Sequence, residues 1–204
     1  MYVPTHFAGS GVPVVENGGL ADLVTCTAEG LLATPVPFVY EAETHALHAH
    51  LARNNDQWRQ PVIGEAMAIV RGPDAYVSPS FYASKAEHGR VVPTWNYVVA
   101  HVYGELVVHD DPVWVAAQVR RLTGKHEAGR EEPWAVEDAP ARFVEGQLKA
   151  IVGVSLRISR IEAKWKLSQN RSEADVNGVI EGLSAESSGG AQDVAAAMRG
   201  VTGR

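Results

Sequence analysis

The chain holds a single cysteine, Cys26, among 204 residues. An internal disulfide is therefore impossible, and a lone thiol fits a reducing cytoplasm. Cys26 lies in an apolar stretch, so it is expected to be a packed core thiol rather than a nucleophile. Long apolar runs are also missing: no stretch approaches the roughly 20 residues needed to span a bilayer. The start, Met1-Tyr2-Val3-Pro4, has neither the charged region nor the apolar run of a secretory leader. Positive charge is sparse. The chain has 18 Lys and Arg against 24 Asp and Glu, for a formal net charge of −6. No run of five basic residues occurs, which argues against extensive contact with nucleic-acid phosphates. A DNA contact would have to be indirect or weak, through a local patch or a dimer surface. The phosphate-cradling loops GxxxxGKS/T and GxGxxG are absent. So are the GxSxG elbow and the HExxH and CxxC metal signatures.

What is present is a core-sized apolar fraction, 46 %, organised mainly as strands. Asp22–Ala28 and Leu31–Tyr40 read as a hairpin across Glu29-Gly30. His45–Leu51 follows after a polar turn. Glu65–Arg71 is a further strand ended by Gly72-Pro73-Asp74, and Ala75–Ser78 a short one halted by Pro79. Tyr97–Val108 is long, with Gly104 marking a bulge or a close backbone approach. Successive strands joined by turns favour an antiparallel barrel over a parallel βαβ sheet. Asp111-Pro112 is a helix start, a capping carboxylate before proline. Val115, Val119 and Leu122 continue at helical spacing, and a second helix is expected near Pro140–Ile151. The next strand alternates at Val154, Leu156 and Ile158, then at Ile161, Ala163 and Trp165. That change of phase predicts a bulge at Ser159-Arg160. Ser172-Glu173-Ala174-Asp175 reads as a capping box with Asp in the usual Glu place. Ser184–Gly190 reads as a flexible linker, and Asp193–Arg199 as a last short helix.

Three constellations could carry chemistry. His48 and His50 share a strand face, which suits a metal, but no third ligand stands at a diagnostic spacing. The end of that strand, Arg53-Asn54, offers a forked cation and an amide for a phosphate or carboxylate, or else a solvated strand end. Val92-Pro93-Thr94-Trp95-Asn96-Tyr97 combines a fixed turn, aromatic rings and small polar groups. It is either a plug closing the barrel or a stacking surface for a planar ligand. Lys164–Arg171 places Lys164, Lys166, Ser168 and Asn170 on one face, an anion cradle or an ordinary solvated face. Of the histidines other than His48, only His50 and His101 lie within or beside these clusters. Binding chemistry is clearer than catalytic chemistry, and no catalytic residue is assigned.

Five segments occur in an order that resembles one family. They are Met1–Phe7, His50-Leu51-Ala52-Arg53-Asn54, Tyr76–Tyr82, Val92–Tyr97 and Lys166-Leu167-Ser168-Gln169-Asn170-Arg171. They resemble the PaiB family, described as FMN-binding negative transcriptional regulators, over nearly the whole chain. The resemblance implies a β-rich α+β fold, an antiparallel split β-barrel with peripheral helices. It further implies a homodimer with FMN in the groove between protomers. Residues 1–170 would form the split-barrel domain, including helices near 111–126 and 140–151, and residues 171–204 a helical extension of it. Carried over by motif, Arg53 and Asn54 approach the cofactor phosphate, with His50 on the preceding strand. Trp95, Asn96 and His101 approach the groove, and Lys166, Ser168 and Gln169 complete its rim. Asn54-Asn55-Asp56 stands where a proline is expected shortly after the asparagine, and Phe81 where tryptophan is common. The family implies regulation with bound flavin. The alternative is a flavin-dependent oxidoreductase of the flavin-reductase or pyridoxamine-phosphate-oxidase kind.

Overall fold

The computed structural model describes residues 1–202 of the chain. Six antiparallel strands form the sheet: β1 (Leu20–Thr27), β2 (Gly30–Glu41), β3 (Ala46–Ala52), β4 (Ala66–Val77), β5 (Thr94–His109) and β6 (Ile151–Lys166). Hydrogen bonds link them in the order β1-β2-β3-β6-β5-β4, and β1 also pairs with β4, so the pairing forms a ring. The helices are α1 (Val12–Asn17), α2 (Ser84–His88), α3 (Pro112–Glu127), α4 (Ala141–Leu148), α5 (Glu173–Ala185) and α6 (Gly189–Thr202). This is the β-rich α+β, split-barrel class expected from the sequence. Among the described residues no helix is long and apolar enough to cross a membrane.

The chain divides into two compact units. One comprises Val15–Val70 and His101–Ile161. Here β1 alternates strictly, with Ala21, Leu23, Thr25 and Thr27 buried and their neighbours half-exposed. Phe38, Leu51, Val70, Val102 and Val152 are among its most deeply buried side chains. Cys26 falls on the outward phase of β1 and is half-buried. It is therefore not the core thiol that its apolar neighbours suggested. Helix α3 begins as expected: the Asp111 carboxylate accepts from the Val113 and Trp114 amides, and Pro112 occupies the first turn. Gly104 of β5 meets the Arg157 carbonyl of β6 so closely that any Cβ would collide with it. Of the two readings of this glycine, close approach is the one realised.

The other unit comprises Met1–Val14, Arg71–Ala100 and the chain from Glu162 onward. Val179, Leu183, Val194 and Met198 of α5 and α6 are buried with Leu167. Ser172 caps α5 by accepting from the Asp175 amide. The Asp175 carboxylate does not close the expected box. It turns instead to the Ser84 amide and hydroxyl, each at 2.9 Å. Gly178 and Gly182, poor helix formers, leave room on α5 for the carbonyl and ring of Phe81.

Three expectations need correction. The interruption at Gly72-Pro73-Asp74 does not end a strand; β4 runs from Ala66 to Val77. Its buried set shifts from Ala66, Ala68 and Val70 to Ala75 and Val77, so the turn-like residues absorb a change of phase. The Ser184–Gly190 linker shrinks to a brief break, because α5 reaches Ala185 and α6 starts at Gly189. The last helix is twice the expected length, since it starts at Gly189 and Ala191 joins the expected Val194 and Met198 in its buried stripe.

Candidate functional site

In the second unit, β5 opens with Thr94 and Trp95. Trp95 is 53 % exposed and meets Tyr76 edge-on, with ring centroids 6.1 Å apart. A large indole left half in water next to another ring is a ready stacking surface. The next residue, Asn96, is fully buried. Its amide donates to Ser168 Oγ at 3.0 Å and lies 3.4 Å from Met198 Sδ, while the Ser168 hydroxyl donates back to Asn96 Oδ1 at 3.2 Å. Ser168 has φ +66°, a left-handed backbone that a non-glycine residue adopts only under constraint. The Asn96 pair supplies that constraint. Gln169 is likewise used internally: its Nε2 donates to the Trp165 carbonyl at 2.6 Å and its Oε1 accepts from the Leu167 amide at 2.8 Å.

This pinned turn presents Lys166. Its ammonium donates to Thr94 Oγ1 at 2.8 Å and to the Trp95 carbonyl. It also lies 6.0 Å from the centre of the Tyr97 ring, which Lys164 approaches to 5.6 Å. Burial pushes the Lys166 ammonium below the usual lysine range, and the nearby Lys164 and Arg171 charges push it further. No carboxylate is among its partners. An ammonium has three N–H donors, so one remains for a ligand. A half-buried cation with cationic neighbours and no acid is a site that a bound anion would relieve. These residues therefore fit a flavin phosphate beside a ring-stacking wall.

The first unit holds the remaining expected residues. Arg53, just past β3, is heavily engaged. Its fork grips Asp110 at 2.6 and 3.1 Å, and it donates to the Lys149 and Ile151 carbonyls at 2.8 and 3.0 Å. The Arg53 hydrogen bonds hold the Asp110 carboxyl below its usual range. Of five guanidinium N–H donors, one is left. Asn54 is exposed and makes no hydrogen bond among the described residues. Asn55 caps the following turn by accepting from the Gln57 amide at 2.8 Å. Gln57 is buried, and its Nε2 reaches the Leu23 carbonyl and Thr25 Oγ1 at 2.9 and 3.1 Å. Gln57 thus anchors this segment, a role that sequence reasoning missed. His101 is half-buried, its ring 6.3 Å from that of Tyr103. His50 is half-buried and faces a separate small cavity lined by Val119, Trp134 and Phe143.

One polar network escaped sequence reasoning altogether. Glu41 Oε2 lies 2.9 Å from His48 Nε2, His48 Nδ1 lies 2.8 Å from Ser155 Oγ, and Ser155 Oγ lies 2.7 Å from His109 Nε2. Arg121 holds the other Glu41 oxygen at 2.8 Å, and His109 stacks on Trp114 at 4.0 Å. Burial depresses both imidazoles, so each is neutral near pH 7. With Glu41 ionised, His48 donates from Nε2, Ser155 donates to His48 Nδ1, and His109 donates to Ser155. The order Ser–His–Glu matches a nucleophilic triad. However, Ser155 is 3 % exposed and its oxygen is occupied on both sides, so the hydroxyl faces no substrate. The available signal was one serine inside the buried run Val152–Leu156. Among the described residues no three His, Cys, Asp or Glu side chains gather as a metal site.

Comparison with known proteins bears on the chemistry of these clusters. A family model described as "Putative FMN-binding domain" matches residues 1–160. The Bacillus subtilis (strain 168) protein named "Protease synthase and sporulation protein PAI 2" is 30 % identical over 205 residues, covering 97 % of this chain and 96 % of that one. Among solved structures, a conserved hypothetical protein from Mycobacterium tuberculosis superposes with a TM-score of 0.56 at 11 % identity, over 83 % of this chain and 92 % of that one. A flavocytochrome from Azotobacter vinelandii gives 0.54 at 16 % identity, over 76 % of this chain and 64 % of that chain. This chain thus spans under two-thirds of the flavocytochrome chain. At such identities the two structures speak for the fold alone.

Proposed function

The chain belongs to the PaiB family of FMN-binding domains, and from that premise we propose that it is a flavin-bearing negative regulator of transcription that acts as a cytoplasmic homodimer. FMN is the family's cofactor. In this reading Trp95 supports the isoalloxazine ring, and Lys166, with Lys164 beside it, takes the phosphate. Asn96, Ser168 and Gln169 act behind the contact by fixing the turn that aims Lys166. Arg53 mainly braces the end of β3 through Asp110, with Asn54 carrying a free amide beside it. FMN when bound supplies one- or two-electron redox chemistry, and no residue here is assigned a proton-transfer step toward it.

The observation that carries the reading is the Lys166 ammonium, half-buried, crowded by cations and left with an N–H that no acid uses. The word sporulation in the relative's name favours control over turnover. A fold shared with flavoproteins would not by itself decide between them.

The test is titration of the purified protein with FMN, followed by absorbance and flavin fluorescence, with size exclusion on the same sample. The reading expects a shifted, quenched flavin spectrum, micromolar or tighter affinity, and a dimer. A monomer that leaves flavin fluorescence unchanged would refute it. Bleaching of bound flavin by a reduced nicotinamide would replace regulation with oxidoreduction. Any DNA complex should weaken steeply as salt rises.

A further inference from the structure

A cavity of about 260 Å³ is lined by His50, Val119, Trp134, Phe143, Leu148 and Ile151, and also by Val136, Ala139, Val144 and the amide of Gln147. Its lining contains no Lys, Arg, Asp, Glu, Ser or Thr. This lining offers a flavin phosphate no cation, in contrast to the turn that carries Lys166. Trp134 and Phe143 stand at its rim, 48 % and 58 % exposed. Helix α4 buries none of its residues, although Phe143, Val144 and Leu148 form an apolar stripe. A mostly apolar recess with few polar groups is the usual form of a small-molecule site; here the inner one is His50, and the exposed Gln147 amide stands at the mouth.

The anchor is His50, and its two nitrogens differ. Nδ1 is enclosed and has no hydrogen-bond partner among the described residues. Burial disfavours the imidazolium, so the ring carries one proton. An enclosed N–H without a partner is rarer and costlier than an enclosed lone pair. The proton therefore resides on Nε2, the reachable nitrogen, and His50 presents a donor to the cavity. We propose that this cavity binds an uncharged aromatic carbonyl compound of one or two rings. Its oxygen accepts from His50 Nε2–H, and its ring packs among Trp134, Phe143 and Leu148. The absence of charge in the lining selects a neutral ligand, the volume selects a small one, and the tautomer selects an acceptor.

The test uses FMN-saturated protein and two probes of similar size: coumarin, which offers a carbonyl acceptor, and indole, which offers only a donor. Calorimetry measures affinity, and histidine ¹⁵N spectra report the His50 tautomer. Coumarin should bind saturably, shift the His50 Nε2 signal and bind more tightly than indole. His50→Phe, which fills the same space without a donor, should weaken coumarin roughly 3- to 10-fold, the range of one neutral hydrogen bond, and leave indole unchanged. His50→Gln, which keeps an N–H, should retain part of the preference. Equal binding of both probes, an unaffected His50→Phe variant, a proton found on Nδ1, or displacement of coumarin by excess FMN would each overturn the proposal. So would coumarin binding that disappears as the protein self-associates, because a second copy would then be the occupant.

Discussion

Ser155 Oγ lies 2.8 Å from His48 Nδ1, and the two residues are register partners across β3 and β6. The hydroxyl donates to one imidazole and accepts from the other, so the bridge holds only while His48 Nδ1 carries no proton. Proton uptake by His48 at Nδ1 would place a second donor against the same oxygen.

That relationship fixes the sign of the pH dependence. His48, His50 and His109 all titrate below the ordinary value of 6.5 when folded, each chiefly through burial. The unfolded chain then binds protons that the folded chain refuses. Their stabilisation is complete above about pH 6.5 and is lost as pH falls through the folded values. Arg121 adds to the depression of His48, while Glu41 opposes it. Arg157 adds to that of His109, while Asp111 opposes it. Thermal melting between pH 8 and 5 should show a falling midpoint from about pH 6.5 downward. A flat profile would show that the imidazoles accept protons without loss.

Ser155→Ala removes the bridge and leaves two imidazole nitrogens facing a methyl group. The loss should be about 1–3 kcal/mol, the cost of buried polar groups left unpaired. Chemical denaturation measures it directly. A change below about 0.5 kcal/mol would mean that water restores the bridge.

Ser168 yields a comparison between two substitutions. Alanine loses the Asn96 bond and keeps the unfavourable φ of +66°. Glycine loses the same bond but tolerates that backbone. Ser168→Ala should therefore be less stable than Ser168→Gly by roughly 0.5–1 kcal/mol. The reverse order would show that the turn is not strained.

Gly104→Ala drives a Cβ into the Arg157 carbonyl. Backbone cannot step aside as a flexible side chain can, so destabilisation should reach or exceed about 1–3 kcal/mol. Gly129→Ala, where no neighbour lies within 4 Å, is the control and should be nearly neutral.

Local rules carried the sequence reading furthest. The Asp111-Pro112 start of α3 and the Ser172 cap of α5 are short-range signals, and both hold. The Glu29-Gly30 turn placed the hairpin of β1 and β2 correctly, because it joins two strands that pair directly. Readings that depended on distant partners fared less well. Gly72-Pro73 reads as a terminator in isolation, yet β4 passes through it. Arg53 and Asn54 look alike as ligand donors in sequence. Asp110, 57 residues away, engages one and leaves the other free. Asn96 belongs to a promising polar segment, but period-two alternation turns it inward. Ser155 drew no notice because a single serine in an apolar strand carries no motif, and Gln57 because it is one of several polar residues in a turn. Only long-range packing assigns their roles.

Lys166 offers the most direct measurement of the central claim. Affinities of the wild-type protein and Lys166→Met should be compared for FMN and for riboflavin, which lacks the phosphate. If Lys166 takes the phosphate, the wild type prefers FMN, and the variant loses roughly tenfold or more of that preference while riboflavin binding stays put. An FMN-to-riboflavin ratio unchanged by Lys166→Met would contradict the account.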